Sequence, residues 1–125
     1  MSFFEAIAAC FGKYATFSGR ASRAEYWWFA LFTILAWLII NALVSSFVGP
    51  QIGINTSYVF LLLVLLPSLA VGARRLHDMN VSAWWLLLHT TGVGSVILCI
   101  WMLFPGSTGA NRFGAPVVDP EDVSR

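Results

Sequence analysis

Charge is what this chain has least of. Only 10% of its 125 residues are Asp, Glu, Lys or Arg, while 58% are hydrophobic. Ordinary soluble domains carry about 25% charged and roughly 45–50% apolar residues. A soluble fold of this length cannot hide so much apolar surface, so lipid is part of its solvent. The length allows one domain at most. Cysteine is scarce too, with Cys10 and Cys99 alone. Two cysteines without a neighbouring histidine build neither a disulfide framework nor a zinc site, so both read as packed thiols, and no metal or cofactor is implied. There is no basic tract interleaved with aromatics, which excludes nucleic acid as a partner. No cationic stretch precedes residues 1–17 and no small-residue cleavage site ends them, so they do not read as a signal peptide.

What the chain has instead is three uncharged apolar runs. Ahead of them, Ser2 and Glu5 have capping-box spacing, and Phe3, Ile7, Phe11 and Tyr14 form one apolar stripe. Residues 1–19 therefore read as an amphipathic helix and turn, lying in the membrane interface or packed on the bundle of spans. Ser22-Arg23-Ala24-Glu25 is a second capping box. From Tyr26 to Val48 no residue is charged, a helical length of roughly 34 Å against a hydrocarbon core of about 30 Å. Gly49-Pro50 ends that span, and 51–57 reads as a short polar loop. The second run, about 55–73, contains Pro67, which frees the carbonyl of Leu63. Ser68 and Gly72 in the same run offer a small face for close helix contact. The third run, 82–104, is interrupted by Thr90-Thr91-Gly92-Val93-Gly94-Ser95. It reads as a third crossing. A re-entrant hairpin of two half-helices is the alternative, because broken backbone survives in a membrane where protein or water covers it.

The expected architecture is all-α: a small polytopic membrane helical bundle of three spans (26–48, 55–73 and 82–104) with an N-terminal amphipathic helix. A membrane domain covers 20–106, and 107–125 forms an irregular tail. Lys13, Arg20 and Arg23 precede the first span, Arg74 and Arg75 follow the second, and the loop between them has no cation. The positive-inside rule puts the N-terminus and the segment Arg74–Trp85 in the cytoplasm. Three crossings then place the tail outside, whereas a re-entrant third segment returns it inside. Trp27-Trp28 and Trp84-Trp85 fit an aromatic belt at the cytoplasmic mouths of their runs.

Arg20, Arg23, Glu25, Arg74, Arg75, His77 and Asp78 gather at that face and form the candidate polar cluster. It is either a scaffold lock or a pocket whose guanidinium forks suit an anionic headgroup. Glu25 is expected to cap its own helix or to pair with Arg74 or Arg75, and Asp78 or Asn80 to cap the third run. His77 beside Asp78 has no third metal ligand and no nucleophile, so no catalytic residue is assigned. His89 lies inside the third run next to Thr90 and Thr91, and an ionisable group at that depth is a functional candidate. Residues 106–114 are glycine-rich but lack a phosphate-loop ending, and read as a tight turn followed by an aromatic anchor.

Three blocks occur in order: Phe17-Ser18-Gly19-Arg20-Ala21-Ser22-Arg23-Ala24-Glu25-Tyr26-Trp27-Trp28; Arg74-Arg75-Leu76-His77-Asp78 with Ser82-Ala83-Trp84-Trp85; and Pro105-Gly106-Ser107-Thr108-Gly109-Ala110-Asn111-Arg112-Phe113-Gly114. Together they resemble the DUF805 family of small bacterial inner-membrane proteins. The resemblance implies a bacterial plasma-membrane location and a compact multi-span helical protein, and carries no established catalytic activity. In that family Asp-Pro often follows the last Phe-Gly closely. Here Ala115-Pro116-Val117-Val118 intervenes before Asp119-Pro120. The functional expectation is a non-enzymatic envelope or interaction protein acting through a membrane-protein partner, a second copy of itself, or anionic lipid headgroups. A small transporter or channel subunit using His89 is the alternative.

Overall fold

A computed structural model describes residues 1–117. Asp119-Pro120 and the end of the expected 107–125 tail lie outside the described residues. The elements are α1 (Phe3–Gly12), α2 (Arg23–Phe47), α3 (Pro50–Asp78), a 3-10 helix (Ala83–Thr90) and α4 (Gly92–Trp101). Among the described residues the fold is helical throughout, apart from one isolated bridge between Asn111 and Gly114.

The Ser2 hydroxyl accepts the Glu5 N–H at 3.2 Å and starts α1. The helix stops at Gly12, earlier than the stripe through Tyr14 implied. Of the two placements open to it, α1 takes the packed one. Ala6 and Cys10 are buried, and Phe3 and Phe11 set their rings edge-on to Trp28 (5.7 Å) and Phe29 (5.6 Å) of α2. Ser22 caps α2 by accepting the Glu25 N–H at 3.1 Å.

Helices α2 and α3 are each long and apolar enough to cross a membrane. Their most apolar 18-residue windows have mean hydropathies of 2.1 and 2.0, and only 6% of the α2 window is buried. A soluble core helix would show the reverse, so the exposed flank of α2 needs an apolar solvent.

Residues 51–57, read as a polar loop, are the first turns of α3. Pro50 sits at the first helical position, where no N–H is needed. The polar side chains are satisfied without leaving the helix. Gln51 donates to Asn55 at 3.1 Å, and the Thr56 and Ser57 hydroxyls donate to the Ile52 and Ile54 carbonyls, both at 2.7 Å. Gly53 lets α3 touch α2, because a Cβ there would lie 1.9 Å from Ser45 Oγ. The segment Arg74–Asp78, which follows the expected second span, is likewise helical and forms the last turn of α3. That helix ends in a Schellman turn, with Asn80 at φ 60° and the Val81 N–H donating to Leu76 O at 2.9 Å. Asn80 thus closes α3, and neither it nor Asp78 caps the 3-10 helix. Ser82 does, accepting the Trp84 N–H at 3.3 Å.

The third run does not form one long helix. Residues 82–104 form a hairpin whose arms are the 3-10 helix and α4, turning at Thr91. A single span would separate its two ends by roughly 34 Å. Instead the carbonyls of Met102 and Leu103, at the far end of the run, accept hydrogen bonds from Trp27 Nε1 (3.3 Å) and Arg23 Nη1 (3.2 Å) at the start of α2. Each arm is only about 15 Å long. Gly94 lets the arms close, since a Cβ there would fall 2.2 Å from Leu88 O.

Helix α3 runs through Pro67 without a break in its assignment. The Leu63 carbonyl that Pro67 leaves without its N–H accepts the Tyr14 hydroxyl instead. This contact fixes the chain after α1 to the middle of α3. Tyr14→Phe is expected to cost about 1 kcal/mol of stability. In a Pro67→Ala background, where a backbone N–H is restored, it should cost close to nothing. Unfolding in detergent of the four proteins of this cycle measures the difference.

Candidate functional site

Where α2 starts and α3 and α4 end, three arginines and two carboxylates are buried together. Arg20, Arg74, Arg75, Glu25 and Asp78 are each exposed by 7% or less. Two ion-pair groups result. Arg74 Nη1 donates to Glu25 Oε1 at 2.6 Å. Arg20 and Arg75 share Asp78, one oxygen each, at 2.9 and 2.6 Å.

Most of the remaining donors reach backbone carbonyls; among the described residues, the buried Arg74 Nη2 meets no acceptor. Arg20 donates to Ser107 O (2.6 Å), Gly109 O (2.8 Å) and Gly114 O (3.3 Å). Arg75 donates to Phe104 O and, at 3.5 Å each, to Met102 O and Ala21 O. Arg74 Nε donates to Thr16 O at 3.2 Å. Most of these acceptors belong to a helix end or to the tail, whose carbonyls lack helical partners. A guanidinium beside a helix C-terminus is also favoured by the helix dipole. The arginines therefore tie α4 and the tail to α3.

The tail completes the arrangement. Ser107 N donates to Asp78 O at 2.7 Å, and Asn111 Nδ2 to His77 O at 2.9 Å, which covers the last carbonyls of α3. Phe113 stacks on His77 with ring centres 4.0 Å apart and planes 7° from parallel, while the Arg112 guanidinium lies 4.8 Å from the Phe113 ring centre. Gly106 is required at its position, since a Cβ would fall 1.9 Å from Asp78 Oδ2.

The seven cluster residues thus divide. Arg20, Arg75 and Asp78 form one group and Arg74 and Glu25 the other. Glu25 pairs with Arg74, and its own N–H is capped by Ser22. Arg23 stays exposed and holds only the Leu103 carbonyl. His77 Nδ1 faces Gly19 O at 3.0 Å, so that nitrogen carries the hydrogen. His77 and Asp78 serve different partners and form no dyad. Among the described residues no three of His, Cys, Asp and Glu gather as a metal-binding set. His89 lies well away from the cluster, near the tip of the hairpin, with Nδ1 3.1 Å from Ser95 Oγ.

Two partners of the cluster were not singled out from sequence. One is the block 107–114, read as a turn with an aromatic anchor. Its glycines and Asn111 give no sign of which charge they will meet. The other is Cys10, whose Sγ lies 3.8 Å from Glu25 Oε1. Its place in α1, one turn before Tyr14 on a buried face, was the available signal.

The sequence comparisons agree with the span of this assembly. A family described as a protein of unknown function (DUF805) matches residues 14–115. The chain belongs to the DUF805 family. Among its relatives, inner membrane protein YhaI of Escherichia coli (strain K12) is 39% identical over 103 residues, covering 82% of this chain and 86% of the relative. Inner membrane protein YhaH of the same strain is 40% identical over 114 residues, covering 86% of this chain and 93% of the relative. No solved structure matches the chain. The DUF805 match runs from Tyr14, the residue bonded to Leu63, to just past Gly114. It takes in every cluster partner named above except Cys10.

Burial, and after it the Glu25 carboxylate, push the Cys10 thiol up to about 12, with Arg74 opposing. A raised value keeps the thiol protonated, so at pH 9 only roughly a thousandth is thiolate. In a Cys99→Ser protein, Cys10 should resist maleimide from pH 7 to 9 while folded. After unfolding in dodecyl sulfate it should label rapidly, and faster as pH rises. Equal rates in the two states would contradict this placement.

Proposed function

We propose that this DUF805 protein is a bacterial inner-membrane protein with two crossings, α2 and α3, and a re-entrant hairpin entering from the cytoplasmic side. It works through contacts at its cytoplasmic face rather than through catalysis. Inner-membrane residence is supported by the names of the relatives and by the exposed apolar flanks of α2 and α3. The cytoplasmic orientation is supported by the cations, which stand at one end of the bundle and are absent from the Val48–Pro50 turn.

The observation that carries the contact reading is how the cations divide. Arg20, Arg74 and Arg75 are buried and engaged with carboxylates and carbonyls, so an outside anion cannot reach them. Lys13, Arg23 and Arg112 are exposed at the same end. Arg23 stands one turn before Trp27 at the start of α2, the usual setting for aromatic anchors and lipid-facing cations. Anionic phospholipid headgroups are the contact these three residues suit best. A channel or transporter subunit is the second reading, favoured by His89, which lines a groove between α2, α3 and the 3-10 helix together with Tyr26, Thr33 and Ser68. That groove is apolar apart from a few hydroxyls, which suits a lipid better than a hydrated ion.

Each exposed cation near a bilayer surface is worth about 1 kcal/mol toward anionic lipid, or about fivefold in binding. The purified protein should keep phosphatidylglycerol in preference to phosphatidylcholine through detergent exchange. Replacing Lys13, Arg23 and Arg112 together by Gln should remove most of that preference, with helical content followed by circular dichroism because Arg23 and Arg112 also bond the Leu103 and Asn80 carbonyls. An unchanged preference in the triple variant would overturn the lipid-contact reading.

A further inference from the structure

The return of the third run leaves a groove between α2, α3 and the 3-10 helix. It has a volume of about 360 Å³ and is walled mostly by apolar side chains, among them Phe29, Leu69 and Leu86. No charged residue lines it. Besides the Tyr26 hydroxyl, whose residue stands near the Arg23 end of α2, its polar groups are Thr33, Ser68 and His89. These come from three different elements but from one depth. Thr33 lies ten residues after Arg23 in α2 and Ser68 ten before Asp78 in α3, about 15 Å along each helix from the arginine face. His89 is the seventh residue of the 3-10 helix, about 14 Å in. In a bilayer with a hydrocarbon core of about 30 Å, that depth is the midplane. Ile34 and Leu65, which also line the groove, are 58% and 51% exposed on the bundle surface, so the groove opens sideways toward lipid.

The hydrogen bonds of the hairpin set the state of His89. The Ser95 hydroxyl has one hydrogen and donates it to the His89 carbonyl at 3.3 Å. With that hydrogen on the carbonyl, it can only accept from the imidazole, 3.1 Å away, and the tautomer that matches this arrangement carries its hydrogen on Nδ1. Nε2 is then an acceptor, and no described residue bonds it. Thr33 is engaged as a donor to Phe29 O at 2.9 Å and has acceptor capacity left. Ser68 adds a hydroxyl that both donates and accepts.

We propose that this groove binds an uncharged lipid alcohol: one hydroxyl on a long aliphatic chain, taken laterally from the membrane. The proposal rests on the membrane placement given above. The absence of a lining cation disfavours a carboxylate or phosphate head at this depth. Nε2 of His89 demands a donor, and the Ser68 hydroxyl offers a donor in return. A single O–H satisfies both. The volume is at the small end of ligand pockets. It takes the head and the first part of the chain, while the remainder lies along the lipid-facing opening.

The test uses the full chain purified in detergent and four probes. These are hexadecanol, its methyl ether, hexadecanoate and dioleoylglycerol, with retention read by native mass spectrometry. Hexadecanol should be retained near one per chain and its methyl ether, which cannot donate, about tenfold more weakly. His89→Phe, which keeps a flat ring and loses the acceptor, should bring the alcohol down to the level of the ether. If His89→Phe fails to fold, the alcohol–ether comparison on the unaltered chain decides alone. No retention of hexadecanol, equal retention of alcohol and ether, or stronger retention of hexadecanoate or dioleoylglycerol would each overturn the proposal. Retention in detergent does not depend on the side of the membrane to which the chain ends are exposed. A wrong topology and a wrong ligand would therefore give different failures.

Discussion

A guanidinium cannot shed its charge, and it carries five N–H groups that need acceptors wherever water is excluded. Three of them are buried at one end of this small bundle, with only two carboxylates to meet them. Most of the shortfall is made up by backbone carbonyls, and the carbonyls available for that are the ones at helix ends and in irregular chain; Arg74 Nη2 alone of the buried guanidinium nitrogens is left without one among the described residues. This constraint accounts for the shape of the molecule. Arg75 collects the end of α4, Arg20 collects the tail, Arg74 collects the turn after α1, and Asp78 joins the first two. Removing one member of a buried pair costs on the order of 3–5 kcal/mol, against a typical total stability of about 5–15 kcal/mol. What the network adds above all is uniqueness of arrangement, because buried ion pairs add little net stability over well-packed apolar side chains. In lipid, helix association has no hydrophobic driving force to set its register. A polar lock at the water-facing end can supply that register.

Several features were legible in the sequence because they are local. Ser2 and Ser22 cap the helices that their spacing announced. Pro67 frees the Leu63 carbonyl as its chemistry requires, although its substitute donor, Tyr14, comes from 49 residues away. The convergence of Arg20, Glu25, Arg74, Arg75 and Asp78 followed from topology alone, since three segment ends at one membrane face must meet. The pairing within that cluster did not follow. Whether Arg74 or Arg75 takes Glu25 depends on which side of α3 faces α2, and the sequence leaves both open.

The errors have a common origin. Residues 51–57 looked like a loop because they are polar, but their side chains bond back to their own helix and so remove the cost of being helical. Residues 82–104 looked like a span because they are uncharged and long enough. Hydropathy counts apolar residues and is blind to where the end of the run is held. The signal that separates hairpin from span lies elsewhere in the chain, in the donors of Arg23, Trp27 and Arg75 that wait for the carbonyls of Met102, Leu103 and Phe104. The tail was read as irregular, and in its described part, residues 107–117, no helix forms. Its carbonyls and Asn111 are nonetheless part of the cluster, which composition cannot reveal.

The central claim is that the arginine network turns the third run back, so that the run ends on the face where α2 begins. The side of the membrane reached by the chain after residue 117 tests it directly. A fluorescent protein that matures only in the cytoplasm, fused after Arg125, should be bright in intact bacteria, and alkaline phosphatase fused at the same point should be inactive. A phosphatase insertion after Val48 should be active and serves as the opposite reference. A dark fluorescent fusion with active phosphatase at Arg125 would mean that residues 82–104 cross once, and would contradict the account.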